Sequence, residues 1–118
     1  MTNDSDPSQT PNLATVFAAL GDPTRLAIVE RLLGDKEVSA GDIGAEFSVS
    51  APSISRHLGV LHKAGIVQRR TDRQRRLYSV APEAMKKIAT WTLTHQEFWG
   101  ASLIRLDALM ALEEYSDD

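Results

Sequence analysis

Apolar residues recur at helical spacing along most of this chain. Leu13, Val16, Phe17 and Leu20 form a first such run, which stops at Gly21. Asp22 before Pro23 reads as an N-cap with proline at the first helical position, where its missing N–H costs nothing. The second helix then extends to Leu33 and stops at Gly34, with an inner stripe of Leu26, Val29 and Leu33 widened by Ile28 and Leu32. Ser39 opens a short third helix ending near Phe47, with Ser39 and Asp42 spaced to cap one another and Ile43 and Phe47 one turn apart. After a tight turn at Ser48 and Val49, Ser50 caps a fourth helix that tolerates Pro52 in its first turn and ends at Ala64, with Gly65 as a left-handed stop.

The period then changes. Ile66–Arg70 and Leu77–Val80 are short strand-like runs separated by the polar segment Thr71–Arg75, which predicts a β-hairpin with a basic tip. Pro82 opens a last helical stretch from Glu83 to about Ala111, with Trp99, Leu103, Leu106 and Met110 on one seam and Ile88, Trp91 and Phe98 extending it. If continuous, that helix is about 43 Å long, and the interior Gly100 suits either a kink or a close helix contact. The fold class is therefore mainly α with a small β-hairpin, in the order α-α-α-α-β-β-α: a winged helix-turn-helix spanning roughly Ser39 to Val80.

Residues 1–11 are polar and acidic and read as a disordered tail; 12–111 form one domain, and 112–118 an acidic C-terminal tail. The absence of a membrane-length apolar run or a signal-like N-terminus points to a soluble, cytoplasmic protein without membrane contact. With no cysteine, the chain has no disulfide, thiolate metal ligand or cysteine nucleophile.

Charge sharpens the picture. The net charge is −3, yet Arg56 to Arg76 carries seven basic residues against the single acid Asp72, a local +6 that leaves −9 elsewhere. A basic block on an acidic body suits one polyanion-binding face, although a solvated hairpin gives the same composition. In the fourth helix, Ile54, Leu58 and Leu61 share the core side, opposite Ser53, Ser55, Arg56, Gly59 and Lys63. Small and hydroxyl residues at a helix start allow close approach to phosphate, and Arg56 can reach a guanine edge or a phosphate. Ser50, Ser53, Ser55 and Arg56 are thus the recognition candidates, with a capping or merely solvated role open for Ser50 and Ser55.

His57, at the border of the two faces, has either a structural role or a DNA contact. At the wing, Arg73, Gln74, Arg75 and Arg76 suit the minor groove or flanking phosphates. Arg69 and Arg70 are adjacent on a strand and point to opposite sides, so at most one faces DNA. His62 and His95 are lone histidines without metal spacing, and no metal or cofactor is expected.

The segments ALGDPTRLAIVERLL, SVSAPSISRHLGVLHKAGIVQRR and RQRRLYSV resemble the ArsR-type family of winged helix-turn-helix repressors over roughly Leu13 to Val80. The resemblance implies a symmetric homodimer held by the first and last helices, here Leu13, Val16, Phe17, Trp91, Phe98, Trp99, Leu103, Leu106 and Met110. It also implies a pseudo-palindromic double-stranded operator and repression of the protein's own operon. Metal-sensing members carry cysteines in the third helix or Asp and His pairs along the last; this chain has SAGDIGAEF and only His95, so metal sensing is not expected and the effector is left open. Independently, two Trp, a Phe and several Leu on a terminal helix exceed what one small bundle covers, which predicts a partner surface, unless both Trp pack on the chain's own first helix. The competing class is a winged-helix protein-interaction module with no DNA role. No nucleophile–base pair, phosphate loop or metal spacing points to an enzyme.

Overall fold

The computed structural model describes residues 12–34 and 36–116, without the side chains of residues 99, 101, 103, 104 and 113–116. The expected N-terminal tail, residues 1–11, lies outside the described residues. Contacts divide the chain into two compact units, one reaching Lys87 and one starting at Ile88, where the sequence reading drew a single domain over 12–111.

In the first unit, capping side chains set the helix starts. Asn12 Oδ1 accepts from Thr15 N at 3.1 Å and opens α1 (Leu13–Leu20). Asp22 Oδ2 accepts from Arg25 N at 3.0 Å and, with Pro23 in the first turn, opens α2 (Pro23–Leu33). A two-residue strand, β1 (Val38–Ser39), precedes α3 (Ala40–Glu46), where Ser39 Oγ accepts from Asp42 N at 3.1 Å. Ser50 Oγ accepts from Ser53 N at 3.2 Å and opens α4 (Ala51–Lys63). Ala64 closes that helix, and Gly65, at φ 80°, takes the left-handed position that a side chain disfavours.

The hairpin differs from expectation in two ways. Its strands, β2 (Val67–Asp72) and β3 (Arg75–Val80), run further towards the tip, leaving only Arg73 and Gln74 as the turn. It is also not alone: β1 pairs antiparallel with β3, Val38 opposite Tyr78 and Ser39 opposite Leu77, giving a three-stranded sheet in the order β1-β3-β2. The observed order is therefore α-α-β-α-α-β-β-α-α.

Ile54, Leu58 and Leu61 point inward as expected and meet Val16, Ile28, Leu32, Ile43 and Ile66 in the core. Two expectations are corrected here. In α2 the buried stripe is Ile28, Val29 and Leu32, while Leu26 and Leu33 are 43% and 58% exposed. Five apolar residues in eight positions fit either phase of the helix, and only packing selects one. Val16, assigned to the subunit interface, is completely buried within its own chain and presents nothing to a partner.

The last stretch is two helices, α5 (Pro82–Thr94) and α6 (Gln96–Ser116), interrupted at His95 rather than kinked at Gly100. Within the second unit the cause is local. Thr92 Oγ1 donates to Ile88 O at 3.0 Å, Thr94 Oγ1 donates to Thr90 O at 2.8 Å, and His95 Nδ1 lies 2.8 Å from Trp91 O. Side chains that bond the carbonyls four residues back compete with the backbone ladder and bend helices. His95 N turns instead to Thr92 O at 3.2 Å, a tighter turn that ends α5. α6 then continues to Ser116, so residues 112–116 are helical where a tail was expected.

Candidate nucleic-acid interface

α4 separates its two jobs by face. Ile54, Leu58 and Leu61 anchor it in the core, while Ser50, Ser55, Arg56, Gly59 and Lys63 are exposed and Ser53 is half-buried. A Cβ built at Gly59 meets nothing within 4 Å, so this face has open space above it. Ser50 fulfils its capping role, its Oγ engaged with Ser53 N.

His57 is held from below. Its Nδ1 lies 3.3 Å from Arg25 Nη1 and 3.9 Å from Asp22 Oδ2, and Arg25 Nε donates to Ala19 O at 2.7 Å. Arg25 thereby joins the end of α1, the start of α2 and the middle of α4. The Asp22 carboxyl sits below its ordinary range, chiefly because the Arg25 backbone N–H bonds its charged form. Sequence reasoning missed Arg25 altogether; nothing local marks a contact made between helices 32 residues apart.

The register fixes which hairpin side chains share a face. Arg69 is paired with Tyr78 and Thr71 with Arg76, so these four lie on one side of the ribbon; Arg70, Leu77 and the Asp72–Arg75 pair lie on the other. On the first side, Ser55 of α4, Arg76 and Tyr78 line one cavity of about 410 Å³ with Ala40, Gly44, Ile54 and Leu58. His62, two turns further along α4, feels both strands of the ribbon: burial, then the charges of Arg69 and Arg76, push its pKa down. On the second side Arg70 is bound to Glu37, through Nε to Oε2 at 2.7 Å and Nη2 to Oε1 at 2.8 Å.

The remaining wing residues, Arg73, Gln74 and Arg75, are all exposed, and Arg73 holds a left-handed backbone at φ 63°. Gln74, Arg75 and Arg76 border a second hollow with Ser39, Gly41 and Asp42. Lys63 stands apart from this group: it lines a different cavity with Thr15, Ala18, Arg25 and Val60. Of the expected interface residues, Phe17, Trp91, Phe98, Leu106 and Met110 are exposed and Leu13 is half-buried, while the side chains of Trp99 and Leu103 lie outside those described.

A recognition helix packed behind a basic wing defines the class: this is a winged helix-turn-helix, the architecture of DNA-binding transcriptional regulators. Residues 20–70 match the family described as a helix-turn-helix domain. The chain is 37% identical over 78 residues to the transcriptional repressor SdpR of Bacillus subtilis, an alignment covering 66% of this chain and 86% of that protein. The crystal structure of an ArsR family transcriptional regulator superposes with a TM-score of 0.68 at 26% identity, covering 75% of this chain and 96% of the other. An ArsR-like transcriptional regulator from Rhodococcus sp. RHA1 does so with a TM-score of 0.64 at 29% identity, covering 82% and 91%. The chain belongs to the ArsR-type winged helix-turn-helix transcriptional regulators. It is a DNA-binding regulator and not an enzyme. Among the described residues, no helix is long and apolar enough to cross a membrane.

Proposed function

We propose that this protein is a homodimeric, cytoplasmic repressor that binds a pseudo-palindromic operator in duplex DNA, acts on its own operon and senses no metal ion. The observation that carries the reading is that Ser55 of the recognition helix and Arg76 of the wing line one cavity, which puts the start of α4 and the hairpin on a common side. In the complex, the α4 N-terminus and the hydroxyls of Ser50, Ser53 and Ser55 meet phosphate, and Arg56 enters the major groove. Arg73, Gln74, Arg75 and Arg76 flank the adjacent backbone or minor groove.

Dimerisation is supported by α6, where Phe98, Leu106, Leu109, Met110 and Leu112 are each at least half exposed. A helix apolar on its exposed surface needs a partner. Two copies then address half-sites one helical turn apart, about 34–36 Å. Repression accords with the name of the SdpR relative. Independence from metal is supported by the absence of cysteine.

The test is fluorescence anisotropy with duplex DNA from upstream of the protein's own gene and a scrambled duplex, at about 50 and 200 mM salt. The expected outcome is preferential binding of the upstream duplex that weakens steeply with salt, by a species sedimenting at twice 13.0 kDa. Equal affinity for both duplexes, or a monomer in the complex, overturns the reading.

A further inference from the structure

Inside the cavity at the root of the wing, the lining does more than separate two DNA-facing elements. Its floor is apolar, from Ala45, Ile54 and Leu58, and its volume of about 410 Å³ lies within the roughly 300–1,000 Å³ range of small-molecule sites. Tyr78 lines it with only 4% of its surface exposed, and its hydroxyl has no hydrogen-bond partner among the described residues. A tyrosine hydroxyl without a protein partner is free to bond a group that enters the cavity. Ser55 and Arg76 complete the lining, and neither has a side-chain hydrogen bond or ion pair among the described residues. No acidic residue is among those lining the cavity.

We propose that this cavity is an effector site for a compact organic acid, whose hydrocarbon body rests on Ile54 and Leu58 and whose carboxylate is bound by Arg76 and the Tyr78 hydroxyl. Arginine pairs with carboxylate in a forked, charge-assisted geometry that a water molecule does not reproduce. Occupancy removes Arg76 and Ser55 from DNA, so the acid and the operator exclude one another; this coupling, unlike the site itself, rests on the operator-binding reading above. Mutual exclusion is reciprocal: whatever factor the acid takes from DNA affinity, DNA takes from acid affinity.

The experiment uses the full-length protein without DNA and a panel of benzoate, phenylacetate, 4-methylpentanoate and octanoate, each against its neutral amide. Amide resonances are followed by two-dimensional NMR. Expected is saturable movement of Gly41, Gly44, Ala45 and Tyr78 by at least one acid, with the matched amide about ten-fold weaker or more. Tyr78→Phe is expected to keep the melting temperature of the parent and to weaken the acid about ten-fold, since it removes only a hydroxyl that the empty fold leaves unbonded. Arg76→Gln abolishes discrimination between acid and amide. The proposal is overturned if no acid moves these resonances, or if binding survives Tyr78→Phe undiminished. It is equally overturned if no acid binds and Tyr78→Phe instead weakens the operator, which assigns the cavity to a DNA phosphate and leaves the operator reading standing. Acid binding in a protein that prefers no duplex confirms the site and rejects the operator reading alone.

Discussion

Arg70 of β2 reaches across the sheet to Glu37, just before β1, and both guanidinium–carboxylate bonds are shorter than 3 Å. One arginine of the basic hairpin is thus committed within the protein, while Arg76, in the strand beside it, has no carboxylate partner among the described residues. Each phosphate contact contributes about one unit to the slope of log K against log salt. Arg76→Ala is therefore expected to lower the slope by about one, and Arg70→Ala to leave it unchanged. A titration of duplex affinity with salt for the two variants checks this.

The same pair has a pH signature. The Arg70 hydrogen bonds hold the Glu37 carboxyl below its ordinary range. A carboxyl whose folded value is lowered contributes stability that is fully present above its unfolded value, about 4.3, and lost as pH falls through the folded one. Glu37→Gln is expected to lower the melting temperature by a constant small amount above about pH 5.5 and by progressively less below it. The pair is exposed, so the offset is small; a difference that instead grows on acidification contradicts the assignment.

Ser50 caps α4 and, in the proposed complex, also meets phosphate; two substitutions separate the roles. Ser50→Ala removes the bond to Ser53 N and is expected to cost about 1 kcal/mol in chemical denaturation. Ser50→Asp keeps a capping oxygen and favours the helix N-terminus, so stability is retained. Its charge nevertheless stands at the proposed phosphate contact, and duplex affinity is expected to fall at least as far as in the alanine variant.

What the sequence made legible follows from the range of each interaction. Asp22–Pro23, Ser50 and Gly65 act within three or four residues, and each was readable as a cap or stop because the partner atoms are near neighbours in the chain. The split between Arg69 and Arg70 was readable too, since alternation along a strand needs no tertiary information. β1 was not: Val38 and Ser39 form a strand only because Tyr78 and Leu77 pair with them. The clamp of Arg25 on His57 also joins distant segments, so the sequence alone leaves both a structural and a DNA-contacting role open for His57. The break at His95 was obscured for another reason. Gly100 carries the stronger intrinsic penalty, but Thr92, Thr94 and His95 act together through their side-chain bonds to backbone carbonyls.

His62 reports on the wing. Burial and the nearby charges of Arg69 and Arg76 keep its pKa below the ordinary histidine value of about 6.5. The expected NMR midpoint is below that value, and Arg76→Gln is expected to raise it, because one of the opposing charges is gone. With a lowered folded value, the unfolded chain takes up the proton first on acidification. His62 therefore subtracts stability as pH falls through about 6.5, and His62→Gln should flatten the stability profile between about pH 7 and 5. An unmoved His62 midpoint in Arg76→Gln places the strand too far from α4 for a shared DNA face.

At the hairpin tip, Arg73 occupies a left-handed conformation that costs an L-residue roughly 1–2 kcal/mol, a strain that asparagine bears more readily. An arginine at this position supplies charge at the expense of turn stability, which accords with the proposed phosphate contact at the wing tip. Arg73→Asn is expected to raise stability by ~0.5 kcal/mol, read as a higher melting temperature, and to lower the salt slope of duplex binding by about one. Arg73→Lys, which keeps the charge and the strain, should change neither by much. If Arg73→Asn gains stability and binds DNA with the parent's affinity and slope, the tip makes no phosphate contact, and the wing's contribution narrows to Arg75 and Arg76.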